Sequence, residues 1–371
     1  MSMQYRAVIA GLAHVHINDV AAHFAAHPRV DLRACADLPP LVPELKAGPY
    51  TREWNKAFCA RSFNLKPYDS WLEMLEAEEP DLCVVNSENA YHVMITEECA
   101  RRGIDVCIEK PMAASLSDGL RMHRAALAGG IALMVNWPMT WNAGMQTIRA
   151  MIEEGAVGDV IQIKTRMGHT GPLGPGAKHR GVTETAGPMT DVEKARTWWH
   201  QHACGGGAMA DYCCYGGMLS YWFAGEEAQA VTGMRLNSAT PMGDAEDNAA
   251  MIVRFPHRYA VIEGTWTTYD HTFQSPIVYG TKGAIVGDYK TGAVALYPAG
   301  WSAREVKNRE LPKPLTNVAH AYACHKDTGV PPHITLQPGF NLNALAILDA
   351  GIRSADSGKV ELVDNLHWRI G

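Results

Sequence analysis

The chain predicts two joined folds: a doubly wound α/β domain, then an α+β domain built on a mainly antiparallel sheet. Three observations carry this. Short apolar runs alternate with amphipathic segments through the first third, the pattern of a parallel sheet with helical crossovers. Beyond Asn136 the pattern changes to strands paired around tight turns. The length of 371 residues also exceeds what one small core organises. The boundary is placed at the change of pattern, giving 1–136 and 137–371.

In the first part, Tyr5 to Ala10 reads as a strand, and Gly11-Leu-Ala-His-Val-His16 as the turn into a helix. Val30 to Ala36 is a second strand ending at Asp37. Leu38 to Lys66, with three prolines near its start, reads as an irregular surface excursion. Leu82 to Val85 is a buried strand, followed by an amphipathic helix from Tyr91 to Arg102. Val106 to Ile108, a helix opened by Ser115 and running through Arg124, and Ile131 to Val135 complete the alternation.

In the second part, Asn142 to Glu154 predicts a helix stopped by Gly155, and Val160 to Met167 a strand. Gly168 to Gly207, rich in glycine, proline and histidine, reads as one long loop. Ala249 to Phe255 and Tyr259 to Thr267 flank Pro256-His-Arg258. Ile277 to Tyr279 and Ala284 to Val286 flank Thr281-Lys-Gly283. Phe340 to Ser354 places Leu342, Leu345, Leu348 and Ile352 at helical spacing.

Three stretches carry chemistry. The Gly11 turn is a degraded dinucleotide fingerprint, with Ala13 and His16 where the second and third glycines belong. Its setting supports it: a strand before, a helix after, and Asp37 at the next strand's tip. A carboxylate there accepts hydrogen bonds from a ribose and repels a ribose phosphate, and Leu38 follows it where an arginine would serve a phosphate, so NAD is expected over NADP. Glu109-Lys110-Pro111 follows a buried strand, which places Lys110 at the carboxyl edge of the sheet where ligands bind, as an exposed lysine. Gly205-Gly-Gly207 precedes Asp211 and Tyr215, which share one helix face at i and i+4. A nearby cation such as Lys110 would lower the phenol's pKa. Each has a plain alternative: a solvated junction lysine, a capping aspartate, a buried tyrosine.

Composition narrows the classes. Net charge is −6 without a long basic run, which gives nucleic acid no electrostatic footprint. The hydrophobic fraction of 47% is too often broken by charge for a membrane span. Nine dispersed cysteines, an odd number, point to reduced thiols and a cytoplasmic setting.

With these motifs together, the chain resembles the glucose-fructose oxidoreductase, inositol dehydrogenase and rhizopine-catabolism (Gfo/Idh/MocA) family. The marks are Glu109-Lys110-Pro111, the triple glycine with Asp211 four residues before Tyr215, the Thr281-Lys282-Gly283 turn and the 344–359 helix. The resemblance implies an N-terminal Rossmann domain and an open-sheet C-terminal domain that forms homodimers or homotetramers. It implies nicotinamide-dependent oxidation or reduction of a sugar or cyclitol. Catalytic roles fall on Lys110, Asp211 and Tyr215, with tyrosine where the family more often has histidine. Cofactor contacts fall on Gly11, Ala13, His14, Val15, Asp37, Asn86, Glu109 and Lys110. Substrate contacts fall on Asp211, His92, Trp199 and His200, and no metal is expected. Three other readings stay open: a glycosidase that uses NAD within one turnover, a non-catalytic sugar sensor, and a metal hydrolase on His169, His200 and His202.

Overall fold

In the computed structural model, residues 4–173, 189–268 and 273–364 are described. Six parallel strands form the first sheet: β1 (Tyr5–Ala10), β2 (Val30–Ala36), β3 (Lys66–Tyr68), β4 (Leu82–Val85), β5 (Asp105–Glu109) and β6 (Leu133–Asn136), in the order β3-β2-β1-β4-β5-β6. β1, with Ala7 to Ala10 fully buried, lies between β2 and β4. The strand order therefore reverses beside β1, and a crevice opens at the carboxyl ends of β1 and β4. Helices α1 (Ile17–Ala25), α2 (Arg52–Ser62), α3 (Trp71–Glu78), α4 (His92–Arg101) and α5 (Leu116–Gly129) are the crossovers. Ser115 caps α5 as expected, its hydroxyl accepting the Asp118 N–H at 3.2 Å.

The stretch from Leu38 to Lys66 is not irregular throughout. It contains α2 and ends at β3, and α2 brings Arg52 into a buried position. Its helical pattern is weak because Arg52 and Asn55, two polar residues, hold the inward face alongside Cys59.

After α6 (Ala143–Glu153) comes a nine-stranded sheet made of β7 (Val160–Gly168), β8 (Ala230–Leu236), β9 (Asn248–Arg254), β10 (Tyr259–Thr265), β11 (Ile277–Gly280), β12 (Gly283–Gly287), β13 (Val294–Pro298), β14 (Arg304–Val306) and β15 (Glu361–Leu362). It is antiparallel except where β7 runs parallel to β10. The long loop is interrupted by α7 (Asp191–Ala195), held by a reciprocal cap between Thr190 and Glu193, and its residues 174–188 lie outside the described ones. α8 (Cys214–Ala224), α9 (Val318–Thr328) and α10 (Pro338–Ser357) follow. α8 and α10 bury one face of the sheet, where Gly216 allows Ile262 and Thr165 to approach. The other face exposes Ile161, Met234, Ile252, Tyr259 and Tyr279. No helix among the described residues is long and apolar enough to cross a membrane, and the cysteines are free thiols.

Candidate active site

The Gly11 turn requires its glycine. Gly11 has φ +85°, and a Cβ there would lie 2.5 Å from the Ser87 side chain and 2.7 Å from its backbone nitrogen. His14 N–H donates to the Asn86 carbonyl at 2.9 Å, tying the turn to the end of β4. The Trp198 indole donates to Ala13 O at 2.9 Å, so the loop of the second domain closes over the turn. Val15 is buried in the same cluster as Ala13 and Trp198.

Asp37 sits at the tip of β2, where its Oδ1 accepts the N–H groups of Leu12 and Leu38, each at 3.0 Å. Its Oδ2 accepts from Arg52 at 2.8 Å. An arginine therefore does stand beside Asp37, contrary to the expectation from Leu38; it arrives from α2, fifteen residues on. Arg52 also pairs with fully buried Glu88 and donates its backbone N–H to Glu44. Burial pushes the Glu44 carboxyl up to about 7. Three carboxyl groups around one guanidinium make a poor seat for a ribose phosphate.

Lys110 is not the exposed lysine expected. It is 2% exposed, and its ammonium donates to Asp211 Oδ1 at 2.8 Å and Asp211 O at 3.0 Å. It also lies 4.6 Å from the centre of the Tyr215 ring. Burial alone would lower its pKa, but the Asp211 carboxylate outweighs burial and holds it above the usual lysine value. Burial would likewise raise Asp211, and the ammonium with the Lys110 and Trp266 hydrogen bonds holds it below the usual carboxylate value. Trp266 Nε1 donates to Asp211 Oδ2 at 3.0 Å. The pair joins β5 of the first domain to the helical turn of the second.

That turn is a π-helical segment, Met209–Cys213, leading into α8. Gly207, at φ +106°, leaves the space that the Glu246 carboxylate occupies, and Glu246 accepts the Met209 N–H at 2.7 Å. Tyr215 is buried, with Trp137 edge-on at 5.5 Å. Its phenol is pushed well above the usual tyrosine value, first by burial and then by the charges of Glu109, Cys214 and Asp211. The expected lowering by Lys110 does not occur. The ammonium lies over the ring, and Asp211 already neutralises it.

Glu109 is buried between His16 Nδ1 at 3.0 Å and Asn136 Nδ2 at 3.2 Å. His14, His16 and Glu109 form the one group with metal-ligating spacing among the described residues; His169, His200 and His202 form none. His92 is fully buried behind the Lys110 loop, with Nδ1 facing Met112 O at 3.3 Å, and burial lowers its pKa to about 4. It is not among the residues lining the crevice, because its ring is turned inward against Met112 and is fully buried. Trp199 packs against Trp198 with the rings tilted by 30° and against His14, while His200 faces Trp266 beside a separate cavity. The crevice wall is formed by His14, Asn89, Lys110, Pro111, the tryptophan pair and the triple glycine. Asn89 and the cap Glu246 carried no sequence signal, since each matters only through a neighbour distant in the chain.

These residues fit a dinucleotide. The glycine turn leads into α1, Asp37 stands at the tip of β2, and Asn86 Nδ2 is a buried donor without a partner among the described residues.

Comparison with known proteins decides the family. Residues 11–154 match the profile described as the oxidoreductase family with an NAD-binding Rossmann fold, and residues 145–286 match the GFO/IDH/MocA C-terminal domain. The chain belongs to the Gfo/Idh/MocA family. It is 28% identical over 142 residues to dTDP-3,4-didehydro-2,6-dideoxy-alpha-D-glucose 3-reductase of Streptomyces violaceoruber, covering 36% of this chain and 42% of that one. It is 24% identical over 225 residues to 2,7-anhydro-N-acetylneuraminate hydratase of Escherichia coli, covering 59% of this chain and 55% of that one. The matches thus span about half the length of these curated relatives. Levoglucosan dehydrogenase, solved with NADH and levoglucosan, superposes with a TM-score of 0.78 at 17% identity, over 98% of this chain and 100% of that one. The likeness at that identity is one of fold.

Proposed function

We propose that this family member is an NAD-dependent oxidoreductase acting on a hydroxyl-bearing carbon of a sugar or cyclitol. The observation that carries the reading is the buried Lys110–Asp211 pair, which holds a fixed ammonium at the carboxyl edge of β5. When bound, NAD supplies the hydride acceptor or donor. The chain's residues do the rest. The Gly11 turn, Asn86 and Asp37 hold the nucleotide, and the Asp37–Arg52–Glu88 array favours NAD over NADP. Lys110, charged across the working pH range, stabilises negative charge on the reacting oxygen. Asp211 orients that ammonium through one carboxylate oxygen while Trp266 holds the other. Tyr215, protonated at neutral pH, donates to the reacting oxygen in the carbonyl state and takes the proton in oxidation only at high pH. The Lys110→Met variant tests this: turnover with a sugar substrate should fall about a hundredfold or more, and near-normal turnover would refute it.

The apolar sheet face is read as the contact with a second copy of the chain, since Ile161, Met234, Ile252 and two tyrosines lie exposed together. The Ile252→Lys substitution should convert a dimer to monomer in light scattering; an unchanged mass would remove this assignment.

A further inference from the structure

Beside Trp266 lies a cavity of about 380 Å³ that the proposed reaction does not use. Its volume falls within the roughly 300–1,000 Å³ typical of small-molecule sites. Leu173 and Met242 give it apolar surface, and Trp266, 3% exposed, borders it. Polar groups converge on it from Lys194, His200 and Thr240.

The hydrogen bonds fix what His200 offers. The Thr197 hydroxyl has one proton, and it goes to Lys194 O at 2.8 Å. At its 3.0 Å contact with His200 Nδ1, the Thr197 oxygen can therefore only accept, so Nδ1 carries the ring proton. Burial, then the nearby Lys194 charge, lowers the His200 pKa to about 4, which keeps the ring neutral. Nε2 is then a bare acceptor on a side chain 4% exposed. Lys194 makes no ion pair among the described residues. The cavity thus pairs apolar surface with a hydroxyl-seeking acceptor and an ammonium in need of an anion.

We propose that this cavity is a distal subsite for an anionic hydroxylated ring, such as a sugar unit carrying a carboxylate or phosphate. The ring lies against Leu173 and Met242, one hydroxyl donates to His200 Nε2, and the anion meets Lys194. This inference rests on the oxidoreductase reading for its ligand class, a hydroxylated ring; the cavity shares no lining residue with the crevice beside Lys110, so the charged sugar occupies a second, separate position.

Calorimetric titration of the full chain with D-glucuronate, D-glucose 6-phosphate and D-glucose tests it. At least one anionic sugar should bind about tenfold more tightly than glucose, the size of one charge-assisted hydrogen bond. Lys194→Met, which keeps the aliphatic stem, should erase that preference. Met242→Trp, which adds bulk at a lining position, should abolish binding of the preferred sugar. No measurable binding, equal binding of all three sugars, or a preference that survives Lys194→Met would each overturn the subsite. The two readings fail separately. Uronate binding unaffected by Lys194→Met, beside turnover lost in Lys110→Met, removes the subsite alone. Lys194-dependent binding without any sugar reducing NAD removes the oxidoreductase alone.

Discussion

Removing the Lys110 charge should cost stability as well as turnover, and the two losses should separate in a double variant. In Lys110→Met the chain stem stays, but Asp211 loses an ammonium at 2.8 Å and keeps, among the described residues, only the Trp266 indole as a side-chain donor. Asp211 is 9% exposed. Stripping one partner from a buried ion pair costs about 3–5 kcal/mol, mostly from the charge left behind. Adding Asp211→Asn removes that stranded charge while its amide oxygen still accepts from Trp266, so most of the lost stability should return. Turnover should stay low in both variants, because neither carries the ammonium. Urea unfolding followed by tryptophan fluorescence, beside NADH formation, reads both quantities. A single variant as stable as the wild type, or a double variant no more stable than the single, would refute the account of the pair. The pH dependence has a defined sign. The lowered Asp211 contributes stability above the ordinary aspartate range that is lost as pH falls through its folded value. The raised Lys110 contributes stability below the ordinary lysine value that is lost only as pH rises beyond it. The pair is therefore intact across the neutral range.

Other outcomes follow from the same geometry. Because the Tyr215 phenol is pushed up, the oxidation rate should keep rising to pH 10 without a neutral plateau; a plateau near pH 7 would assign the proton to another group. Tyr215→Phe should keep NAD affinity and lose turnover, and retained activity would move the proton elsewhere. Asp37→Ser should narrow the preference for NAD, and a wild type that uses NADP better would contradict the ribose assignment. Gly11→Ala, with its Cβ 2.7 Å from the Ser87 backbone nitrogen and φ at +85°, should weaken NAD binding in calorimetry; unchanged affinity would show that the turn does not hold the nucleotide.

The fold was legible because its signals are local. Apolar runs such as Leu82 to Val85 and turns such as Thr281-Lys-Gly283 report their own conformation. The site was legible where a motif sits on such an element, as Lys110 does at the end of β5. What stayed hidden depends on distant partners. Arg52 lies in a helix whose inward face is polar, so periodicity does not find it, and its role exists only through Asp37 and Glu88. The direction of the Tyr215 shift is set first by burial and then by the Glu109, Cys214 and Asp211 charges, which no spacing reveals. His92, expected to contact substrate, has its ring fully buried against Met112.

The most direct test is to follow NADH absorbance and product together across a panel of sugars and inositols, with the wild type and Lys110→Met side by side. The account predicts a sugar or cyclitol for which one NADH forms per molecule oxidised, with the rate lost in the variant. Cleavage of a glycosidic bond without net NADH, or NAD binding with no substrate ever reducing it, would contradict it.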